Sequence, residues 1–409
     1  MTTPFTLDGE QRKWCAELRA LAARELRPLA REGAPGRVDR PLVQALGELG
    51  LLARVLPYQG PEDGGRVRAL DLCLLRESLA QECTEAETAL ALQGLGAYPV
   101  LRYGTGPQRA RWLPEVVAGR AVAAFALSEP GAGSDAAALE LRAERTTGGW
   151  RLTGEKCWIS NAPEADLYTV FARTGPAPGA AGVTAFLVPG DSPGLGGRPL
   201  DMLAPHPVGT LTFDAVPVGP GDVIGEVGAG FRVAMRTLDL FRPSVGAFAV
   251  GMARAALDAA LTHAGERRAF GGPLKDLQAV SHQLAEMATR TEAAALLVYA
   301  AAAAYDAGEA GEAGEGGIAR RSAMAKLFAT ETAHYVVDAA VQIHGARALE
   351  RGHLLEHLYR EVRAPRVYEG ATEVQRTIIA KELYRTGGPP RTGEPHSVPD
   401  PSAPRSPRS

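Results

Sequence analysis

The sequence predicts an α+β protein in three parts: an N-terminal helical domain, a middle antiparallel β-domain and a C-terminal helical bundle. Three observations carry that reading. Apolar residues recur at three- and four-residue spacing up to about residue 118. From near Ala121 to about residue 228 they give way to short β-branched and aromatic runs separated by Gly and Pro, and from Gly230 long helical text returns. Helices, then strands, then helices is not the alternating text of a parallel α/β sheet.

Residues 1–118 form the first part, with stretches such as CAELRALAARELRPLA and PLVQALGELGLLARV that each present one apolar stripe. Residues 119–228 form the second: AVAAFALSE, GWRLTGEKCWIS, DLYTVFART and GVTAFLVPG have strand length and strand composition. Residues 229–388 form the third, with PSVGAFAVGMARAALDAALTHAGERRAF and an Ala-rich helix from Leu277 to Tyr305. DAGEAGEAGEGG, from Asp306 to Gly317, has too little apolar surface to pack and reads as an exposed, mobile loop between helices. Residues 389–409 are Pro- and Ser-rich without periodicity and read as a disordered tail.

Composition bounds the function. With 409 residues, 45% of them hydrophobic and 22% charged, the chain can bury a sizeable core. A formal charge of −3 gives no electrostatic reason to bind nucleic acid or an anionic membrane. Cys15, Cys73, Cys83 and Cys157 form no CxxC pair, and the eight histidines show no HExxH spacing, so neither a disulfide framework nor a metal site is expected. The start, MTTPFTLDGEQRKW, lacks the basic and apolar regions of a signal peptide, and no run of about 18 apolar residues is read in the chain. These point to a cytoplasmic protein without a membrane span.

The chemistry is concentrated in three segments. In FALSEPGAGSD, from Phe125 to Asp135, a strand runs into a turn with Gly131 and Gly133, which read either as a cradle for a ligand or as an ordinary turn capped by Ser134 and Asp135. In GEKCWISNA, strand alternation puts Trp158 and Ser160 on one face, as a ligand platform or as a half-buried sheet residue and its neighbour. In RVYEGATEVQRTIIAKEL, Glu369 precedes a helix that Thr372 is placed to cap. Beside apolar and aromatic groups its carboxyl would be shifted upward, as a general base requires; an isolated glutamate is more often a plain surface residue. Arg242, Arg267 and Arg268 read as solvent-facing charges or as phosphate ligands. No GxGxxG follows a strand, so a dinucleotide would be held without a Rossmann turn.

Together SEPGAGSD, WISN, ERRAFGGP followed by LQAV, QIHGA and YEGA stand in an order that closely resembles the acyl-CoA dehydrogenase family, which carries TEPxAGSD, WITN, ERxxFGxP with QAV, Q(I/V)xGG and YEGT. The resemblance covers about residues 7–385. It implies FAD as cofactor and a homotetramer or dimer in which a second subunit completes the cofactor cleft. It implies flavin contacts at Phe125, Leu127, Ser128, Gly133, Ser134, Trp158, Ser160, Thr372 and Glu373. Arg267, Phe270, Gln278, Gln342 and Gly345 would hold the adenosine and pyrophosphate end from the neighbouring subunit. Ser134, Asp239, Arg242, Tyr368 and Gly370 are implied for the substrate, and Glu369 is the implied catalytic base. The implied reaction takes an acyl-CoA to its trans-2-enoyl-CoA, with an α-proton passing to Glu369, a β-hydride to flavin N5, and electrons leaving to an electron-transferring flavoprotein.

The sequence departs from the family at Ala269, Ala346 and Ala371, which replace polar residues or glycine. MLAPHPVGTLTFDAV replaces the usual Gly-x-Arg-x-Ser stretch. Some members place the base just before the helix arginine; here that position is Phe241. A carrier-protein-bound acyl group and an oxidase acting with oxygen are the readings nearest to this one. A flavin-bearing DNA-binding relative would need a basic face, against which the net charge argues.

Overall fold

The computed structural model describes residues 7–177, 179–309 and 317–387. Helix α1 (Gly9–Leu21) opens on a capping box, in which the Asp8 carboxylate accepts from Gln11 N at 2.8 Å and the Gln11 amide oxygen accepts from Asp8 N at 2.9 Å. A π-turn at Ala22–Leu26 carries it into α2 (Arg27–Ala30). Then follow α3 (Arg40–Glu48), α4 (Leu51–Val55), α5 (Ala69–Glu82), α6 (Thr84–Tyr103) and α7 (Gly106–Val117). Helices α5 and α6 are buried on nearly every side, which is why their text lacks a polar face.

The middle part has strands β1 (Ala123–Ala126), β2 (Arg142–Thr146), β3 (Gly149–Ser160), β4 (Leu167–Arg173), β5 (Val183–Pro189), β6 (Leu195–Pro199), β7 (Val208–Val218) and β8 (Val223–Ile224). They run in the order β6-β7-β3-β2-β4-β5-β8, with β1 beside β4. The sheet is mainly antiparallel, as expected, with two parallel pairings that the sequence reading did not foresee: β1 and β2 both pair with β4 in parallel. A parallel pair needs a long crossover, and the β2–β3 hairpin lies within the one between β1 and β4. Strand β4 is buried from Leu167 to Ala172 without alternation, as a strand covered on both faces is.

The third part comprises α8 (Gly230–Glu266), a hairpin of β9 (Arg268–Ala269) and β10 (Gly272–Pro273), α9 (Gln278–Glu309), α10 (Ile318–His344), α11 (Leu354–Glu361) and α12 (Thr372–Gly387). Phe270 and Gly271, with φ of 51° and 88°, make the hairpin's two-residue turn, which demands positive φ at both positions. Helix α8 packs on α5, α9 and α10. It approaches α5 so closely at Gly251 that a Cβ there would lie 2.4 Å from the Glu77 carbonyl oxygen. By length and mean composition α8 could cross a membrane, but 67% of its most apolar stretch is buried inside the protein, as befits a core helix.

Two local expectations are also corrected. Asp306 belongs to α9, not to a loop, and its carboxylate accepts from Ala69 N at 2.7 Å and Leu70 N at 3.2 Å, capping α5 from a distant helix. Thr372 is the first residue of α12 and donates its hydroxyl to Glu331 Oε1 at 3.0 Å, so it does not cap. Residues 307–309 of the predicted acidic loop also belong to α9, and its residues 310–316, like the predicted tail, 389–409, lie outside the described residues.

Candidate active site

Between α11 and α12 a short 3-10 turn at Ala364–Arg366 is followed by Glu369 and Gly370, with φ of 51° and 95°. Left-handed backbone at a glutamate costs on the order of 1 kcal/mol or more and persists only where its surroundings hold it. Here three donors converge on two successive carbonyls. Lys326 Nζ donates to Gly370 O at 2.7 Å, Gln375 Nε2 to Gly370 O at 2.9 Å and Glu369 O at 3.3 Å, and Arg242 Nε to Glu369 O at 3.4 Å.

The side chain is treated differently from its backbone. Glu369 Oε2 is buried and accepts no hydrogen bond. Burial raises the carboxyl above its ordinary value, while the charges of Arg76, Lys326 and Arg242 offset part of that rise. Each arginine has its own partner: Arg76 is buried, bonded to Glu87 and donating to Ser244 Oγ at 2.7 Å, and Arg242 Nη1 donates to Asp239 Oδ1 at 2.8 Å. Tyr368 and Gly370, predicted substrate residues, flank the carboxylate in the chain and are half-buried.

A second group of predicted residues lies along the β-domain. Phe125 is half-buried on β1, its ring 4.8 Å from that of Phe171, and Leu127 is buried with its carbonyl accepting from Lys156 Nζ at 2.8 Å. The Ser128 carbonyl accepts from Cys157 N at 3.0 Å, tying the turn to β3. Gly131, Gly133 and Ser134 are exposed, and a Cβ at either glycine would meet no atom of the chain. Packing therefore does not explain these glycines, whose backbone lies open at the surface. Asp135 makes no cap to the 3-10 turn that follows. Strand alternation is interrupted at Trp158, whose φ is 56° beside a register shift between Lys156 and Ile159. The indole is 51% exposed, and Trp158 and Ser160 flank the buried Ile159.

The third group stands apart. Arg267, Phe270, Gln278, Gln342 and Gly345 are exposed, Phe270 at 92%. The ends of α8 and α10 that carry most of them are joined by stacked His263 and His344 rings 4.2 Å apart. Along α8, Arg267 lies 25 residues beyond Arg242, about 37 Å at 1.5 Å per residue, so one chain does not bring this group to Glu369. Thr372 and Glu373 begin α12; Thr372 is turned to Glu331, while Glu373 is exposed and paired with Arg376 at 3.4 Å.

Sequence reasoning passed over Lys326, Gln375, Arg76, Glu87, Glu129 and Lys156. Two of them carried a signal. Lys156 falls in the buried phase of β3 with Trp150 and Leu152, and Lys326 in the buried stripe of α10 with Ser322, Ala329 and Ala333. A lysine on a buried face requires a partner.

Family models match all three parts: the acyl-CoA dehydrogenase N-terminal domain over residues 8–120, the middle domain over 124–216 and the C-terminal domain over 228–384. The chain is 35% identical over 387 residues to a cyclohexane-1-carbonyl-CoA dehydrogenase of Geobacter metallireducens, covering 93% of this chain and 99% of the other. Butyryl-CoA dehydrogenase from Megasphaera elsdenii superposes with a TM-score of 0.84 at 32% identity, covering 93% of this chain and 100% of that one. A structure of PigA with FAD and proline superposes at 0.82 with 26% identity, covering 93% and 98%. The chain belongs to the acyl-CoA dehydrogenase family, and it is an enzyme of that family that works with FAD.

Proposed function

We propose that the protein removes hydrogen from the α and β carbons of an acyl-CoA to give the trans-2-enoyl-CoA, with Glu369 as the base for the α-proton. The observation that carries this reading is the carboxylate oxygen that is buried, unpartnered and faced by three cations. Such an acid receives a proton without first breaking a bond to the fold, and its upward shift brings its proton affinity toward the working range.

The residues fit FAD. Open backbone at Gly131 and Gly133, the exposed Trp158 indole and the unused Glu369 oxygen are features that the chain's own packing does not explain. Phe125, Leu127, Ser128, Gly133, Ser134, Trp158 and Ser160 would hold the ring side, with Thr372 and Glu373 next to the base. When bound, FAD supplies the acceptor for the β-hydride. The remaining work belongs to the chain. Arg242, oriented by Asp239, and Ser134 hold the thioester arm. The backbone N–H of Glu369, free among the described residues, is available to polarise the thioester carbonyl, which acidifies the α-carbon. Glu369 is half-buried as a residue, and the burial of Oε2 keeps water from that oxygen.

Arg267, Phe270, Gln278, Gln342 and Gly345 stand too far from Glu369 to serve the same site, and we assign them to the cofactor of a neighbouring copy in a dimer or tetramer. An electron-transferring flavoprotein is the electron acceptor in this reading, and the cytoplasm its setting.

The test is anaerobic flavin reduction by butyryl-, isobutyryl-, hexanoyl- and octanoyl-CoA in the parent and in Glu369→Gln, which keeps size but not basicity. Reduction by at least one thioester is expected in the parent, with a loss of about 10²- to 10⁴-fold in the variant. A variant reduced at the parent rate would place the base elsewhere. Reduction only by carrier-protein thioesters would replace CoA as the arm, and steady peroxide release in air would make the enzyme an oxidase.

A further inference from the structure

We propose that Lys326 is the positioning residue of the base: through the Gly370 carbonyl it holds Glu369 in its left-handed conformation, and it supplies the positive charge that keeps the carboxylate ionised until the α-proton arrives. The inference rests on Glu369 being the base.

Lys326 is fully buried on α10, and its Nζ bonds the Gly370 carbonyl. The charged groups around the pair come from several elements. Glu369 feels Arg76 of α5, Arg242 of α8 and Lys326; Lys326 in turn feels Glu369, Arg242, Glu331 of α10 and Glu373 of α12. Nearly all of these are answered locally: Arg76 by Glu87, Arg242 by Asp239, Glu331 by Arg366 and Glu373 by Arg376. Among the described residues Lys326 makes no ion pair, so its charge is the one left to balance Glu369. A buried ammonium without a counter-ion is costly, and burial pulls Lys326 down to about 8, with Glu369 the largest influence opposing that fall.

The backbone side of the device has an independent sign. Gln375 is fully buried and aims its amide nitrogen at the same carbonyl, which leaves its Oε1 buried without a partner. An amide that forgoes one hydrogen bond to complete this grip marks the Gly370 carbonyl as a point the fold is built to fix. Lys326 and Gln375 thus act together on the backbone, while only Lys326 acts on the charge.

That division gives the test. Anaerobic single-turnover flavin reduction of the holoenzyme is followed from pH 5 to 9 with the fastest of the four thioesters named above, in the parent, Lys326→Gln, Lys326→Met, Gln375→Leu and Glu369→Gln. Lys326→Gln retains a donor but loses the cation, so the acid limb should move up by roughly one pH unit with the plateau rate lowered less than about 10-fold. Lys326→Met loses both, and should show the same upward move with a larger loss of plateau rate. Gln375→Leu should lower the plateau without moving the limb. Infrared difference titration of each holoenzyme, with Glu369→Gln subtracted, should report the same upward move for the Glu369 carboxyl in both lysine variants. A folded, flavin-loaded Lys326→Gln with the parent's acid limb and carboxyl titration overturns the proposal. Should Lys326→Met fail to fold, Lys326→Gln decides alone. Glu369→Gln separates the two failures: full rate there overturns the assignment of the base itself, whereas an inactive Glu369→Gln beside unshifted lysine variants overturns only the role of Lys326.

Discussion

Glu129 and Glu369 are two inward-facing carboxylates in two motifs of the same site, and the fold treats them in opposite ways. Glu129, in the turn after β1, has its acceptors filled: Lys156 Nζ at 2.8 Å, Glu140 N at 2.5 Å and Leu141 N at 2.9 Å. Around Glu369 the donors go to the backbone, and the carboxylate keeps a buried oxygen unused. The first is a fastening, with its charge cancelled so that the turn holds its shape. The second is fastened through its backbone, while its carboxylate, the proposed proton acceptor, makes no hydrogen bond among the described residues. Satisfaction of a buried charge therefore separates support from chemistry here better than burial does.

The largest effect expected from that contrast is at the fastening. Lys156→Met leaves Glu129 charged, buried and short of its cation, and should destabilise the fold by about 3–5 kcal/mol in denaturant titration. Glu369→Gln relieves a buried carboxylate but takes from Lys326 the charge that opposes its burial, so it should cost less stability than Lys156→Met while slowing flavin reduction as stated above. Equal stability losses in the two variants would break the comparison.

A second, smaller effect concerns His206, which pairs with Glu361 between the β7 approach and α11. Burial opposes the imidazolium, yet Glu361, with Glu87 and Glu85, carries it above its ordinary 6.5; Glu361 is held low by His206, with His357 and Arg360, against its own burial. A raised histidine stabilises fully below 6.5 and loses that contribution as pH rises through its folded value. A lowered glutamate stabilises above 4.5 and loses it only as pH falls through its folded value. The contribution of this pair should thus fade as pH rises from 6.5, and His206→Gln should remove that part of the pH dependence. Thermal melts from pH 6 to 9 check the sign. The smallest effect is at Asp306, a carboxylate that caps α5: Asp306→Ala should cost about 1 kcal/mol by the same melts, with flavin reduction intact.

Much of this site was legible because its motifs are local. The turn of SEPGAGSD, the indole of WISN and the glutamate of YEGA each sit in a few contiguous residues. What surrounds them was not, for a geometric reason. Lys326 precedes Glu369 by 43 residues and Arg76 precedes it by 293, on helices whose Ala- and Leu-rich text shows no motif. Their lysine and arginine look like solvated charges until the helix faces are known. The bulge at Trp158 and the N1 position of Thr372 were missed because strand and cap rules assume regular entry, and both places lie next to positive-φ residues that bend the chain. The parallel pairings of β4 depend on which strand a crossover returns to, and that is not written in any one strand.

The helix position that precedes Arg242 has a consequence for how this catalyst can change. Phe241 is fully buried, its ring 6.1 Å from that of Tyr98, and it fits because residue 94 of α6 is glycine, where a Cβ would come within 3.0 Å of the phenylalanine ring. Transplanting the acid to this position would strip an aromatic plug from the seam of three helices, open a void and strand a carboxylate in it. A chain with this packing could take a proton acceptor at residue 241 only by rebuilding that seam, which keeps the proposed base in the loop after α11.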